Sequence, residues 1–237
     1  MTAGWPSALW LVRHGESVGN AAAADAWRRG AEVVGVAPRD ADVDLTARGR
    51  IQAEAMGRWL ATLDDDRRPE VAVVSPYLRA RHTLGIALDG LPGAVPVRVD
   101  ERLRDRELGV LDRLTVRGIE ARHPEEAAAR RRQGKFYHRP AGGESWTDVL
   151  LRLRSALADL RADHAGQRVL VVAHDVVVVL FRYLLEGLDE AQVLEMSRRA
   201  APLNCGVTYY EHEGGGLVLR NYNLAVDGEG RSEEAGA

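Results

Sequence analysis

Three observations predict a single α/β domain. Apolar runs of strand length, Leu9-Trp10-Leu11-Val12, Val71-Ala72-Val73-Val74 and Val169-Leu170-Val171-Val172-Ala173, are separated by segments whose apolar residues recur at helical spacing. Each run stops at polar residues able to carry chemistry: Arg13-His14, then Ser75 leading to Arg79, then His174. A chain of 237 residues, 46% hydrophobic, can also bury one sizeable core at the upper end of single-domain size.

The formal net charge of -3 gives no basic footprint, so nucleic acid and anionic membrane surfaces are not expected partners. Arginine supplies nearly all the positive charge, Lys135 being the one lysine. The single cysteine, Cys205, excludes an internal disulfide and thiol-based metal clusters, and it reads as a structural residue of a loop. No basic region followed by a long apolar core precedes Leu9, and no apolar stretch approaches membrane-spanning length. A cytoplasmic protein is expected.

Taken in order, the first strand gives way to a helix-compatible, alanine-rich stretch from Ser17 to Arg28. Gly30 to Val43, a mixture of glycine, proline and aspartate, reads as loop. Thr46 is a fitting N-cap for a helix carrying Ile51, Ala55, Met56, Trp59, Leu60 and Leu63 on one face. After the second strand, Pro76 suits the first turn of a helix running to about Leu88. Val95, Val97 and Val99 alternate as a further short strand.

Asp100 to Leu114 is too polar for a core element and reads as a loop over the strand ends, with helical segments following at Thr115–Arg122 and Glu125–Arg132. Gly134 to Gly143 has the composition of an active-site loop, and residues 101–143 together are expected to form a cap. Within it, Tyr137, His138 and Arg139 are either cap packing or substrate contacts. Trp146, Val149, Leu150, Leu153, Leu157 and Leu160 mark the clearest helix, and the strand ending at His174 is the clearest strand. Val207–Glu211 and Leu217–Tyr222 can pair around Gly214-Gly215-Gly216. The domain is expected to span residues 1–226, with a disordered acidic, glycine-rich tail over 227–237.

If the three principal strands are parallel, their polar ends share one rim, which is where ligands bind in open α/β sheets. Two imidazoles and two guanidiniums make an anion site, and phosphate is the anion that best fits bidentate arginine. Gly15, beside His14, would let a bound group approach the backbone closely.

The run Arg13-His14-Gly15-Glu16-Ser17 with Asn20 resembles the signature of the histidine phosphatase superfamily, the phosphoglycerate mutase-like fold. Its companions occur in order: Leu45-Thr46 with Gly49 and Gln52, Ser75-Pro76-Tyr77-Leu78-Arg79-Ala80 with Thr83, Gly142-Gly143-Glu144-Ser145, Val172-Ala173-His174, and Asn204-Cys205-Gly206-Val207-Thr208. The likeness runs from about Ala8 to Leu224. It implies a three-layer α/β/α sandwich with a mostly parallel central sheet.

The resemblance also implies a metal-independent phosphatase of the histidine acid phosphatase type, with no cofactor, acting on a small-molecule phosphate ester. His14 would attack phosphorus and become phosphohistidine, while Arg13, Arg79 and His174 hold the phosphoryl oxygens. Leu103, Asp105 and Gly109 fit the family register for the general acid, which makes Asp105 the candidate although glutamate is commoner there; Glu107 is the reserve. Ser17 and Asn20 are candidates for hydrogen bonds to phosphate, with helix capping as the alternative. Asp175, where the family usually has glycine, either raises the pKa of His174 or caps the next helix, and the cap is favoured. The alternatives to hydrolysis are a cofactor-dependent phosphoglycerate mutase and a catalytically silent protein that binds a phosphorylated ligand.

Overall fold

The computed structural model describes residues 4–226; the expected tail at 227–237 lies outside the described residues. A six-stranded sheet has the order β3-β2-β4-β1-β5-β6. Its strands are β1 (Ala8–Arg13), β2 (Val71–Val74), β3 (Val97–Val99), β4 (Arg168–Ala173), β5 (Val207–Glu213) and β6 (Gly216–Leu224). The first four are parallel; β5 runs antiparallel to β1, and β6 antiparallel to β5.

The central strands are apolar on both sides because helices cover both faces. Side chains alternate across a strand, so Leu9 and Leu11 join Val73, Val169 and Val171 in one core, and Trp10 and Val12 join Val74, Leu170 and Val172 in the other. The first core is closed by α5 (Pro124–Tyr137), α6 (Trp146–Asp163), α7 (Asp175–Glu186) and α8 (Glu190–Arg199), through Phe136, Val149, Leu153, Leu180 and Val193. The second is closed by α2 (Ala47–Ala61) and α3 (Leu78–Asp89), through Met56, Leu60, Ala80 and Leu84. This is the three-layer, mostly parallel arrangement expected. The remaining helices are α1 (Val18–Arg28) and α4 (Val116–Arg122).

Thr46 caps α2 as expected, accepting a hydrogen bond from Gly49 N at 3.0 Å. Two expectations are refined in detail. Ile51 is exposed, because the buried stripe of α2 is Ala53, Met56, Gly57 and Leu60. The break expected at Gly134 is present, since that residue is non-helical (φ 80°, ψ 159°), but a further helical turn to Tyr137 precedes the loop. That positive-φ conformation is one glycine adopts without a side-chain penalty, and it interrupts the helix, so that residues 135–137 form a separate short turn.

Candidate active site

The register pairs Arg13 with Ala173 and Val74 with Val172, so β1, β4 and β2 end at one level. His14, His174 and Ser75 follow directly. His14 N donates to Ala173 O at 2.9 Å, and Ser75 N donates to Val172 O at 3.0 Å, which extends the ladder into the site itself. Above this rim lies a cleft of about 890 Å³ lined by Arg13, His14, Arg79 and Asp105. His174 stands behind them, fully buried, its ring 5.2 Å from that of His14.

His14 is held in one orientation. Its Nδ1 lies 2.7 Å from the carbonyl of Gly15, where it can only donate, and its Nε2 accepts from Nε of Arg79 at 3.2 Å. The unprotonated nitrogen is therefore Nε2. Burial, and then the neighbouring His174, Arg79 and Arg13, hold the imidazole well below its ordinary pKa; the Gly15 contact pulls weakly the other way. Asn204 Nδ2 donates to the His14 carbonyl at 2.9 Å, and Thr83 Oγ1 accepts from Gly15 N at 3.0 Å while donating to Arg79 O at 2.7 Å. Thr83 thereby ties the first strand end to α3.

Gly15 is required for a reason other than the one expected. A Cβ there would stand 2.5 Å from the carbonyl oxygen of Gly49, and a Cβ on Gly49 would stand 2.0 Å from the carbonyl oxygen of Glu16. The space serves the close approach of the His14 loop to the start of α2.

Arg79 is buried on α3. Beyond His14 it reaches Asp105 Oδ2 from Nη2 at 2.9 Å, and it reaches Asp40 through both terminal nitrogens. Burial opposes its charge, but Asp105 and Asp40 outweigh burial and raise its pKa. Asp105 Oδ2 is also 3.2 Å from Nδ1 of His174, though without the alignment of a hydrogen bond. Burial pushes the Asp105 carboxyl upward; His174 and Arg79 outweigh that and hold it well below the usual carboxylate range. His174 Nε2 and Ser75 Oγ are 2.8 Å apart.

Glu107 sits elsewhere in the cleft, accepting from the hydroxyl of Tyr77 at 2.8 Å. Tyr77 in turn lies under the Arg79 guanidinium, 4.9 Å from carbon to ring centre, and packs edge-on against His174. Arg13 lines the cleft and donates from Nη1 to Pro202 O at 2.8 Å, while its buried Nε has no partner.

Ser17 and Asn20 also line the cleft, and their side chains form a reciprocal cap on α1 with 3.1 Å bonds in both directions. The Oδ1 of Asn20 further accepts from Asn204 at 3.3 Å, so any hydrogen bond to a phosphate must come from its Nδ2. Asp175 is not the helix cap expected. His174 occupies the N-cap position, and Asp175 is the first residue of α7, its Oδ1 accepting from Val176 N at 2.6 Å. A carboxylate in a first turn is favourable next to the helix dipole.

Of the three cap residues in question, His138 is buried against Glu126 at 2.9 Å, Arg139 pairs with Asp148, and Tyr137 is exposed. All three lie outside the cleft lining. Lys135, two positions before Tyr137 and not singled out by sequence, lines it, with Nζ 3.3 Å from Ser197 Oγ and 4.5 Å from the Trp146 ring centre. Burial, then Arg130, lowers its pKa. Asp40, Tyr77 and Lys135 are thus the parts of the site that sequence reasoning missed. Among the described residues, no helix is long and apolar enough to cross a membrane.

The family model for the histidine phosphatase superfamily (branch 1) matches residues 9–225. A 2,3-bisphosphoglycerate-dependent phosphoglycerate mutase of Methylobacterium radiotolerans is 34% identical over 200 residues, covering 82% of this chain and 87% of the relative. A glucosyl-3-phosphoglycerate phosphatase of Mycobacterium tuberculosis is 35% identical over 141 residues, covering 56% and 60%. The solved structure of mycobacterial glucosyl-3-phosphoglycerate phosphatase with VO3 superposes with a TM-score of 0.71 at 26% identity, covering 92% of this chain and 100% of that one. With its motifs, its sheet and the convergence of two histidines and two arginines at one rim, this chain belongs to the histidine phosphatase superfamily, branch 1.

Proposed function

We propose that the protein is a cytoplasmic, metal-independent phosphatase that hydrolyses a small-molecule phosphomonoester through phosphohistidine at His14. The observation that carries this reading is the state of His14. Its Nδ1 is committed to the Gly15 carbonyl, its environment favours the neutral ring, and its unprotonated Nε2, which accepts from Arg79 Nε, belongs to a side chain lining the cleft beside Arg13 and Arg79.

In the first step the Nε2 lone pair attacks phosphorus in line, the bond from phosphorus to the leaving oxygen breaks, and Asp105 gives that oxygen a proton. Charge on the phosphoryl oxygens is met by Arg13, Arg79 and His174, fixed before the reaction begins. Asp105 is held as a carboxylate by its neighbours, so it needs a proton on arrival of substrate. A phosphate ester entering as its monoanion, the form present below a second pKa of about 6, brings one. In the second step the Asp105 carboxylate takes a proton from water, water oxygen attacks phosphorus, and the bond to Nε2 breaks. Contact with Arg79 and His174 supports Asp105 over Glu107 in this role, since Glu107 bonds to Tyr77. Ser17 and Asn20, whose cap faces the cleft, complete the phosphate seat through the Asn20 amide.

The cleft is much larger than a phosphate group, and Lys135 and Ser197 also line it. That supports an organic substrate with further polar groups. A second reading, transfer of the phosphoryl group to a bound hydroxyl as in a mutase, is favoured by the 34% identical relative. Water as acceptor is supported by the segment Arg106-Glu107-Leu108, which does not closely follow the mutase pattern, and by the superposition on the phosphatase structure.

The test is hydrolysis of a generic aryl phosphate with a chelator present, wild type against His14→Ala, with acid-labile phosphoenzyme trapped in parallel. Chelator-insensitive turnover and a phosphoenzyme that both vanish in the variant are expected. Phosphoenzyme without hydrolysis, together with primed phosphoglycerate isomerisation, would establish the mutase reading instead. Turnover retained by the variant would remove His14 from the reaction.

A further inference from the structure

A guanidinium has five N–H donors, and those of Arg79 meet five acceptor contacts. Nε donates to His14 Nε2 at 3.2 Å; Nη1 donates to the carbonyl oxygen of Asp40 at 2.6 Å and to its Oδ1 at 3.1 Å; Nη2 donates to Asp40 Oδ2 at 3.2 Å and to Asp105 Oδ2 at 2.9 Å. The two ends of the Asp40 carboxylate bridge the two terminal nitrogens, the two-pronged pairing that an arginine offers to a phosphate. A phosphoryl group can take this fork only by displacing a carboxylate.

Asp105 is the worse candidate to leave. Its other oxygen accepts from Arg106 N at 2.8 Å, and His174 stands beside it. Asp40 belongs to a single 3-10 turn, Asp40–Asp42, inside the long segment between α1 and α2, and its side chain is 47% exposed against 25% for Asp105. It can swing into water with little loss of packing.

We propose that Asp40 is an affinity-setting residue of the phosphoryl site: its carboxylate occupies the Arg79 fork in competition with the phosphoryl group, so that substrate binding is an exchange of one anion for another. The proposal rests on the reading of Arg79 as a phosphate ligand. Asp40 is a positioning residue, acting through Arg79. It weakens the hold on substrate and on product phosphate alike, and its return to the fork helps expel inorganic phosphate after the second step. It also keeps Arg79 drawn across His14 Nε2 until an anion arrives, because one guanidinium makes both contacts.

The experiment compares wild type with Asp40→Asn and Asp40→Ala by calorimetric titration with inorganic phosphate, and by inhibition of aryl phosphate hydrolysis with phosphate and orthovanadate. Asp42→Asn, on the same turn but paired with Arg39, serves as the control for disturbance of the loop. Losing two charge-assisted contacts is expected to tighten phosphate about tenfold in both Asp40 variants, with KM falling in parallel and the control unchanged. If wild type binds phosphate and the Asp40 variants bind it equally or more weakly, or if Asp42→Asn tightens it as much, Asp40 has no such role while the phosphate reading stands. If neither wild type nor variants bind phosphate, both fall together.

Discussion

Nε of Arg79 and Nε2 of His14 share a hydrogen bond of 3.2 Å, so the cation nearest the proposed nucleophile also covers its lone pair. Only a side chain with separate donors can hold the imidazole with one nitrogen and an anion with the other two. Lysine keeps the charge but offers one nitrogen on a flexible stem. Arg79→Lys should therefore lower kcat/KM for an aryl phosphate by about 100-fold or more, read by steady-state kinetics. A loss below about fivefold would mean that the fork geometry is unimportant.

The depressed pKa of His14 has a consequence for stability. Unfolded, its imidazole takes up a proton near 6.5; folded, it resists one until well below that value. The unfolded state then binds more protons, so this contribution to stability is complete above about 6.5 and is lost as pH falls from there toward the folded pKa. Asp105, also depressed, acts in a lower window, below about 3.8. Between about pH 7.5 and 5.5 the urea midpoint should fall, and His14→Asn should flatten that decline. Equal pH dependence in the two proteins would refute the assignment.

Removing a general acid matters in proportion to how badly the leaving group needs a proton. Asp105→Asn should cost about 10²- to 10⁴-fold in turnover of an alkyl phosphate and far less with a nitrophenyl ester, whose phenolate leaves unaided. Glu107→Gln should show no such dependence on the leaving group. A reversed pattern would transfer the role to Glu107.

Gly49 faces the carbonyl oxygen of Glu16 across a gap that a Cβ would reduce to 2.0 Å. Both partners are backbone, so neither can rotate away. Gly49→Ala should destabilise the fold by about 1–3 kcal/mol and displace His14 through Gly15, lowering chemical-denaturation midpoint and turnover together. Unchanged stability would show that the α2 start can retreat freely.

The α/β class and the rim were legible because the apolar runs of β1, β2 and β4 end directly at His14, Ser75 and His174, and strand ends are where such a sheet collects its ligands. Asp40 was hidden in a stretch with no periodicity, and its partner lies 39 positions away on α3, a meeting that only tertiary structure makes. Lys135 was hidden because it follows the break at Gly134 (φ 80°) and starts a single further helical turn in a stretch that reads as loop. Ile51 shows the limit of apolar spacing, since the buried face of α2 is set by small residues, Gly49, Ala53 and Gly57, that pattern reading underweights.

Strand β4 lies between β1 and β2, which share no ladder of their own. During synthesis the ribosome delivers His14 and Arg79 long before Arg168–Ala173, and until that central strand inserts, the two halves of the rim have nothing to register them. Pairing so distant in sequence is slow to form. Chains interrupted between residues 106 and 167 should thus carry Arg13, His14, Arg79 and Asp105 and yet bind no phosphate, because the two halves of the rim stay unjoined until the sheet closes at the middle.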